Sequence, residues 1–214
     1  DVDGLRAVAI VMVLLFHFGL GFSGGYIGVD VFFVISGFLI TGLILKQHEA
    51  GQFSFKRFWI RRIQRIVPAM IVLVVAVLVA GWFVLLPSDY VRLAKSVAAQ
   101  QLMLSNMFFL RNTGYFDGPA DTMPLLHTWS LSVEEQFYIV YPFLLIYLLR
   151  KHRRTAVVIV AFLAAVSLAV SHYCVLQYPS VAFFVLPARA WELLLGALIC
   201  FLPSPERCSW FVRS

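Results

Sequence analysis

A chain of 214 residues that is 61% hydrophobic and only 13% charged, with a mean hydropathy of +0.88, excludes an ordinary soluble domain. Its formal net charge of +6 does not point to nucleic acid, because ten of the 17 Lys and Arg stand in two blocks, residues 46–65 and 150–154, beside apolar runs. Such blocks read as positive-inside loops, and the mixture of Phe53, Phe55, Lys56, Arg57, Trp59, Arg61, Arg62 and Arg65 equally suits a helix lying on an anionic leaflet.

Taken in chain order, the pattern predicts a first membrane helix at about residues 5–22 and a second at 28–45, with Gly21, Ser23, Gly24 and Gly25 turning the chain between them. The basic stretch 46–65 follows and is expected in the cytoplasm, and Pro68 is expected to open a third helix running outward to residue 86. The second basic block must also be cytoplasmic, so an odd number of crossings separates the two. Residues 90–110 carry Arg92, Lys95, Gln100, Gln101 and Asn106 and read as an external or re-entrant helix, followed by an outer loop at 114–126. Crossings at 131–149, 155–173 and 186–202 complete about six. Cys174, Cys200 and Cys208 have neither metal-site spacing nor an even-numbered framework, so no metal site and no disulfide scaffold are expected. The start on Asp1, with no charged leader before the first apolar run, suggests an N-terminus trimmed from a longer sequence.

Ionisable groups within spans are costly and therefore candidates for function. Arg6 and His17, eleven residues apart, share one helical face about 16 Å apart in depth. A snorkelling role suits Arg6 by position, whereas His17 divides evenly between a structural hydrogen bond and general-base work near neutral pH. Asp30 reads as a helix-start carboxylate, and Ser36-Gly37 as a close-packing pair with a nucleophilic serine only remotely in view. The run from His127 to Tyr138 is the densest polar constellation. Ser132 and Glu135 fit a capping box there, leaving Glu134 and Tyr138 to share another face. Arg189 and Glu192 are spaced to pair along one helix. Arg61, Arg62 and Arg65 are either a positive-inside anchor or a phosphate site.

Five of these motifs occur in register: Asp3 to Ala7 with His17, Gly28 to Phe38, Arg61 to Pro68, His127 to Tyr138, and Arg189 to Glu192. Together they resemble the bacterial acyltransferase-3 family. The resemblance implies an all-α polytopic membrane protein in the bacterial inner membrane, cut from a bundle of about ten helices that often continues into an external esterase-like domain. Residues 1–203 would be a partial acyltransferase-3 domain and 204–214 a cytoplasmic tail or a truncation end. The implied activity is transfer of an acyl group, commonly acetyl, from cytoplasmic acyl-CoA to a hydroxyl of an envelope carbohydrate or lipid-linked glycan, such as lipopolysaccharide O-antigen, peptidoglycan or exopolysaccharide. No permanently bound cofactor is implied; acyl-CoA is a substrate. The family's Arg/Lys-x10-His motif falls on Arg6 and His17, and its Arg-x-x-Arg motif on Arg62 and Arg65. The implied catalytic set is then His17 and Arg6 with Glu134 and Glu135, Glu134 orienting an imidazolium, while Arg62, Arg65 and Arg61 hold the CoA phosphates. A proton-coupled transporter or a non-catalytic membrane subunit would bury similar groups, but the inverted repeats of the first are not found.

Overall fold

A computed structural model describes residues 2–20, 23–112 and 123–202. All regular elements among them are helical: α1 (Val2–His17), α2 (Ile27–Glu49), α3 (Phe55–Val84), α4 (Pro87–Gln101), α5 (Ser105–Asn112), a 3-10 turn at Leu126–Thr128, α6 (Trp129–Lys151), α7 (Arg153–Gln177), α8 (Pro179–Phe184) and α9 (Leu186–Phe201). Gly21 of the expected first turn, Phe22 at the expected end of the first helix, most of the expected outer loop at 114–126, and the expected tail at 204–214 with Cys208 lie outside the described residues.

Four stretches are long and apolar enough to cross a membrane: α2, α3, α7 and the run Pro179–Phe201, which Val185 divides into α8 and α9. The 16 residues of α1 fall short of the usual span, and α6 has the length, 23 residues, but carries Glu134, Glu135, Arg150 and Lys151. The third helix corrects the expected boundary. It begins at Phe55, capped by Ser54, and passes through Pro68 as one helix of 30 residues. Pro68 costs one ladder hydrogen bond but does not stop a helix whose remaining turns are saturated, so residues 55–65 of the basic stretch are the first turns of this same long helix.

Both basic blocks gather at one end of the bundle, where Arg153 at the start of α7 stands 3.4 Å from Glu49 at the end of α2. Phe55 stacks on Phe143 with ring centroids 4.4 Å apart, so α3 leaves this basic end antiparallel to α6. The distal end collects the last turn of α1 and the first turns of α2, α6 and α9. Two glycines set the closest approach of the fold. A Cβ on Gly37 would lie 1.8 Å from the Leu193 carbonyl oxygen, and one on Gly196 would lie 1.9 Å from the Val34 carbonyl oxygen, so α2 and α9 touch backbone to backbone.

The core is centred on α6, whose Trp129, Val133, Phe137, Tyr138, Tyr141 and Leu145 are all buried. The Tyr141 and Thr41 hydroxyls, 2.8 Å apart, tie α6 to α2. By contrast α1, α3 and α7 turn large apolar residues outward, among them Val8, Val72, Trp82, Phe162 and Val175, as hydrocarbon-facing helices do.

The segment read as external or re-entrant is a broken hairpin. α4 folds back along the end of α3, with Tyr90 edge-on to Trp82 and Leu93 against Gly81, and the chain reverses at Met103, whose φ of 59° is left-handed. Polar side chains of α6 fasten this break. Gln136 donates to the Met103 carbonyl at 2.8 Å and to Asn106 at 2.9 Å, and the Ser105 hydroxyl donates to the Thr128 carbonyl at 2.9 Å. The exposed carbonyls of an interrupted helix thus find partners inside the protein, the condition on which non-helical backbone is tolerated at membrane depth.

Candidate active site

Two histidines face each other at the distal end. His17 closes α1, and its Nδ1 lies 2.7 Å from the Val13 carbonyl oxygen. A carbonyl can only accept, so Nδ1 carries a hydrogen, and in the neutral form of the ring the lone pair lies on Nε2. The His127 ring, in the 3-10 turn before α6, meets His17 edge to face with centroids 4.3 Å apart. Partial desolvation by the packed groups around it, and then the charge of His17, hold the His127 imidazole below its ordinary value. Arg6 lies toward the other end of α1, half-buried, 3.8 Å from Asp3, with its Nε unpartnered among the described residues.

A second cluster sits deeper, where α2, α3 and α6 meet. Glu134 accepts from the Ser36 hydroxyl at 2.5 Å and from the Tyr138 hydroxyl, and Arg62 Nη2 stands 3.9 Å away. The Arg62 guanidinium lies 3.6 Å above the Tyr138 ring, so one cation serves a carboxylate and an aromatic face together. Glu135 points elsewhere. It is 6% exposed, its Oε1 has no hydrogen-bond partner among the described residues, and with Arg62, Trp59, Met70, Gln100 and Leu131 it lines a cavity of about 140 Å³ between α3, α4 and α6.

At the start of α9, Arg189 Nη1 lies 2.8 Å from Asp30 and 2.7 Å from Glu192, while its Nε donates to the Phe183 carbonyl at 3.2 Å. Trp129 and Phe183 flank the guanidinium at 5.7 and 5.1 Å. This hub fixes the distal ends of α2, α6, α8 and α9 around the histidine pair.

The structure therefore redistributes the residues named from sequence. Glu134 is turned to Arg62, Ser36 and Tyr138, and the group beside His17 is His127, so the expected Glu134 to imidazolium contact does not form. The capping box does not form either. α6 starts at Trp129, three residues before Ser132, and the Ser132 hydroxyl bonds Ser105 at 2.7 Å and Gln100 at 3.3 Å instead. Of the three arginines expected to hold phosphate, Arg61 and Arg65 are exposed while Arg62 is turned inward onto Glu134. Asp30 is not merely a helix-start charge but an ion-pair partner. Sequence spacing found the Arg189 to Glu192 pair but missed Asp30, 159 residues from Arg189, and Ser36, 98 residues from Glu134. Ser36 gave one signal, a hydroxyl beside a glycine, and Gly37 does make the close packing while Ser36 makes the polar contact. No group of three or more His, Cys, Asp or Glu among the described residues is placed to hold a metal ion.

This geometry accompanies a clear relationship to known proteins. A family model described as an acyltransferase domain matches residues 1–207. A Komagataeibacter xylinus relative bearing the name membrane-bound transacylase BcsY is 41% identical over 212 residues, 96% of this chain and 52% of the relative. The peptidoglycan O-acetyltransferase OatA of Listeria monocytogenes is 36% identical over 94% of this chain and 33% of its own length. A protein of Staphylococcus aureus strain COL named as an O-acetyltransferase is 37% identical over 95% of this chain and 34% of its own. The chain thus spans about half to a third of the length of these curated relatives. No solved structure matches it. With the family model covering nearly the whole chain and apolar helices long enough to cross a bilayer, this membrane protein belongs to the acyltransferase-3 family.

Proposed function

We propose that this chain is the membrane part of an O-acyltransferase that carries an acyl group, commonly acetyl, from cytoplasmic acyl-CoA to a hydroxyl of a cell-envelope glycan in the bacterial inner membrane. The family membership and the relatives' names support the class of reaction. Positive-inside logic puts the basic end in the cytoplasm. On that reading α1, α2, α3, α6, α7 and the α8–α9 pair make six crossings, and α4–α5 is a hairpin re-entering from outside.

The observation that carries the mechanism is the tautomer of His17. With Nδ1 held by the Val13 carbonyl, Nε2 is free to take a proton at the distal mouth, beside His127. In the proposed step Nε2 removes the proton of the acceptor hydroxyl and that oxygen bonds to the thioester carbonyl carbon. The carbon to sulfur bond then breaks, and CoA leaves as a thiolate that regains the proton from the imidazolium. Along α6, Ile146 near the basic end is twelve residues from Glu134, about 18 Å, and Glu134 is seven residues from His127, about 10 Å. In the proposed arrangement the Arg62, Glu134 and Tyr138 cluster stands between the basic end and the histidine pair.

His17→Gln tests this. Glutamine keeps hydrogen-bonding capacity but takes up no proton near neutral pH. The intact protein carrying it should insert and bind acyl-CoA yet lose about 100-fold or more in transfer. Near-normal acylation at matched expression would remove His17 from the role of base.

A further inference from the structure

The proposed reaction gives His17 a part and leaves its neighbour His127 without one. Nδ1 of His17 donates to the Val13 carbonyl at 2.7 Å, so the neutral ring offers the lone pair of Nε2. A metal-bound imidazole is held in the same way, with one nitrogen on the ion and the other on a backbone carbonyl. His127 faces this ring from the 3-10 turn before α6, with centroids 4.3 Å apart and planes at 87°. Both side chains are exposed at the distal end, where an ion in water can reach them.

We infer that His17 and His127 form a two-histidine chelate for a borderline divalent ion, Zn²⁺ or Cu²⁺, and that an ion held there stops transfer by occupying the lone pair the reaction needs. The binding stands on the two rings alone, whereas the inhibition rests on the reading of His17 as base. Zinc sits about 2.0–2.1 Å from an imidazole nitrogen, which puts two rings in neighbouring coordination positions with centroids about 4.5–5.2 Å apart. The pair, at 4.3 Å, has to open by less than about 1 Å and to turn His127 so that a nitrogen meets the ion, a change within reach of an exposed side chain with two rotatable bonds. The cost is the edge-to-face contact, which metal to nitrogen bonds outweigh. Burial and the charge of His17 also keep a proton from competing for the His127 lone pair. Among the described residues no third His, Cys, Asp or Glu is placed to complete the shell, so water fills the remaining positions and the ion is held reversibly, with a Kd on the order of 10 µM. Imidazole ligands favour zinc and copper over the hard ions Mg²⁺ and Ca²⁺.

The competing reading is that the two rings only pack on each other, and that zinc finds single histidines such as His48 in the last turn of α2. The deciding experiment titrates Zn²⁺ onto the intact purified protein by calorimetry and compares the wild type with His17→Gln, His127→Gln, the double variant and His48→Gln. His17→Gln and His127→Gln should each bind zinc about tenfold more weakly or worse, and the double variant should lose little more, because one remaining histidine no longer chelates. His48→Gln, at the basic end, should leave the site as it is. His127→Cys returns a zinc ligand to the same place and should recover binding, which a loss through misfolding would not do. Zinc affinity that survives both single changes, or that falls in only one of them, would overturn the chelate. So would losses that simply add in the double variant. Acetyl transfer is then measured with zinc present. The wild type should be inhibited over the range in which it binds zinc, with recovery on adding a chelator and no effect of Mg²⁺. His127→Gln, relative to its own metal-free rate, should need about tenfold more zinc or above. Zinc that binds through both histidines and leaves transfer untouched would confirm the chelate and overturn both its inhibition and the role of His17 as base.

Discussion

Arg62 and Glu134, 3.9 Å apart and each mostly buried, form the ion pair that joins α3 to α6. Removing one partner of such a pair leaves an uncompensated charge in a low-dielectric site. Arg62→Ala should therefore lower stability by about 3 kcal/mol, whereas Arg65→Ala, on the exposed side of the same helix, should change it by less than about 0.5 kcal/mol. Thermal unfolding in detergent reads the contrast. Equal effects would mean that the two arginines do the same job.

Gly37→Ala and Gly196→Ala should both separate α2 from α9, since each new Cβ would fall within 2 Å of a backbone oxygen that cannot rotate away. The expected cost is at the upper end of overpacking, about 3 kcal/mol, seen as a lowered unfolding temperature and poorer yield. Gly19→Ala makes a useful contrast: no atom lies near its Cβ position, so any cost there is that of its φ of +66° alone.

The fold class was legible because hydrocarbon asks so little of a sequence: runs of apolar residues of spanning length and clustered cations declare helices and their order. The start of α3 was misplaced because Pro68 looks like a helix opener, and only packing along the whole helix shows that it is tolerated. The helical, polar character of residues 90–110 was legible from their composition, but the break at Met103 was not, because the compensating donor is Gln136 on another helix. The same reason governs the site. His17 and Arg6 announce themselves as expensive residues within one helix, and Arg189 with Glu192 as a spacing. The pairings of His17 with His127, Arg189 with Asp30 and Glu134 with Ser36 join distant parts of the chain, and although each residue drew notice alone, the pairing leaves no local pattern.

The histidine pair predicts a pH dependence. The His127 value in the folded protein lies below its ordinary 6.5, so the folded state resists a proton that the unfolded chain accepts. Above 6.5 both states are neutral and the group contributes nothing. As pH falls through 6.5 the unfolded chain is protonated first, and the penalty on folding grows until pH drops below the folded value. His127→Gln should remove this component, making the unfolding temperature less sensitive to acidification below 6.5 than that of the wild type. Parallel pH curves would show that the fold does not hold His127 below its ordinary value.

Arg189 predicts the largest coupling in the molecule. Its one Nη1 atom holds Asp30 at 2.8 Å and Glu192 at 2.7 Å, and the Glu192 side chain is 1% exposed. Arg189→Ala would leave two carboxylates facing each other without a cation, so it should cost about 3–5 kcal/mol, the range for breaking a buried pair. Arg189→Lys keeps the charge but loses the planar fork that also reaches the Phe183 carbonyl, and should recover only part of that loss. Glu192→Gln relieves the buried charge. Placed in the Arg189→Ala background, it should restore stability relative to Arg189→Ala alone, because a neutral amide needs no counter-ion. A double variant whose loss equals the sum of the two single losses would show that Arg189 and Glu192 act independently, and the hub would then reduce to the Arg189 to Asp30 contact.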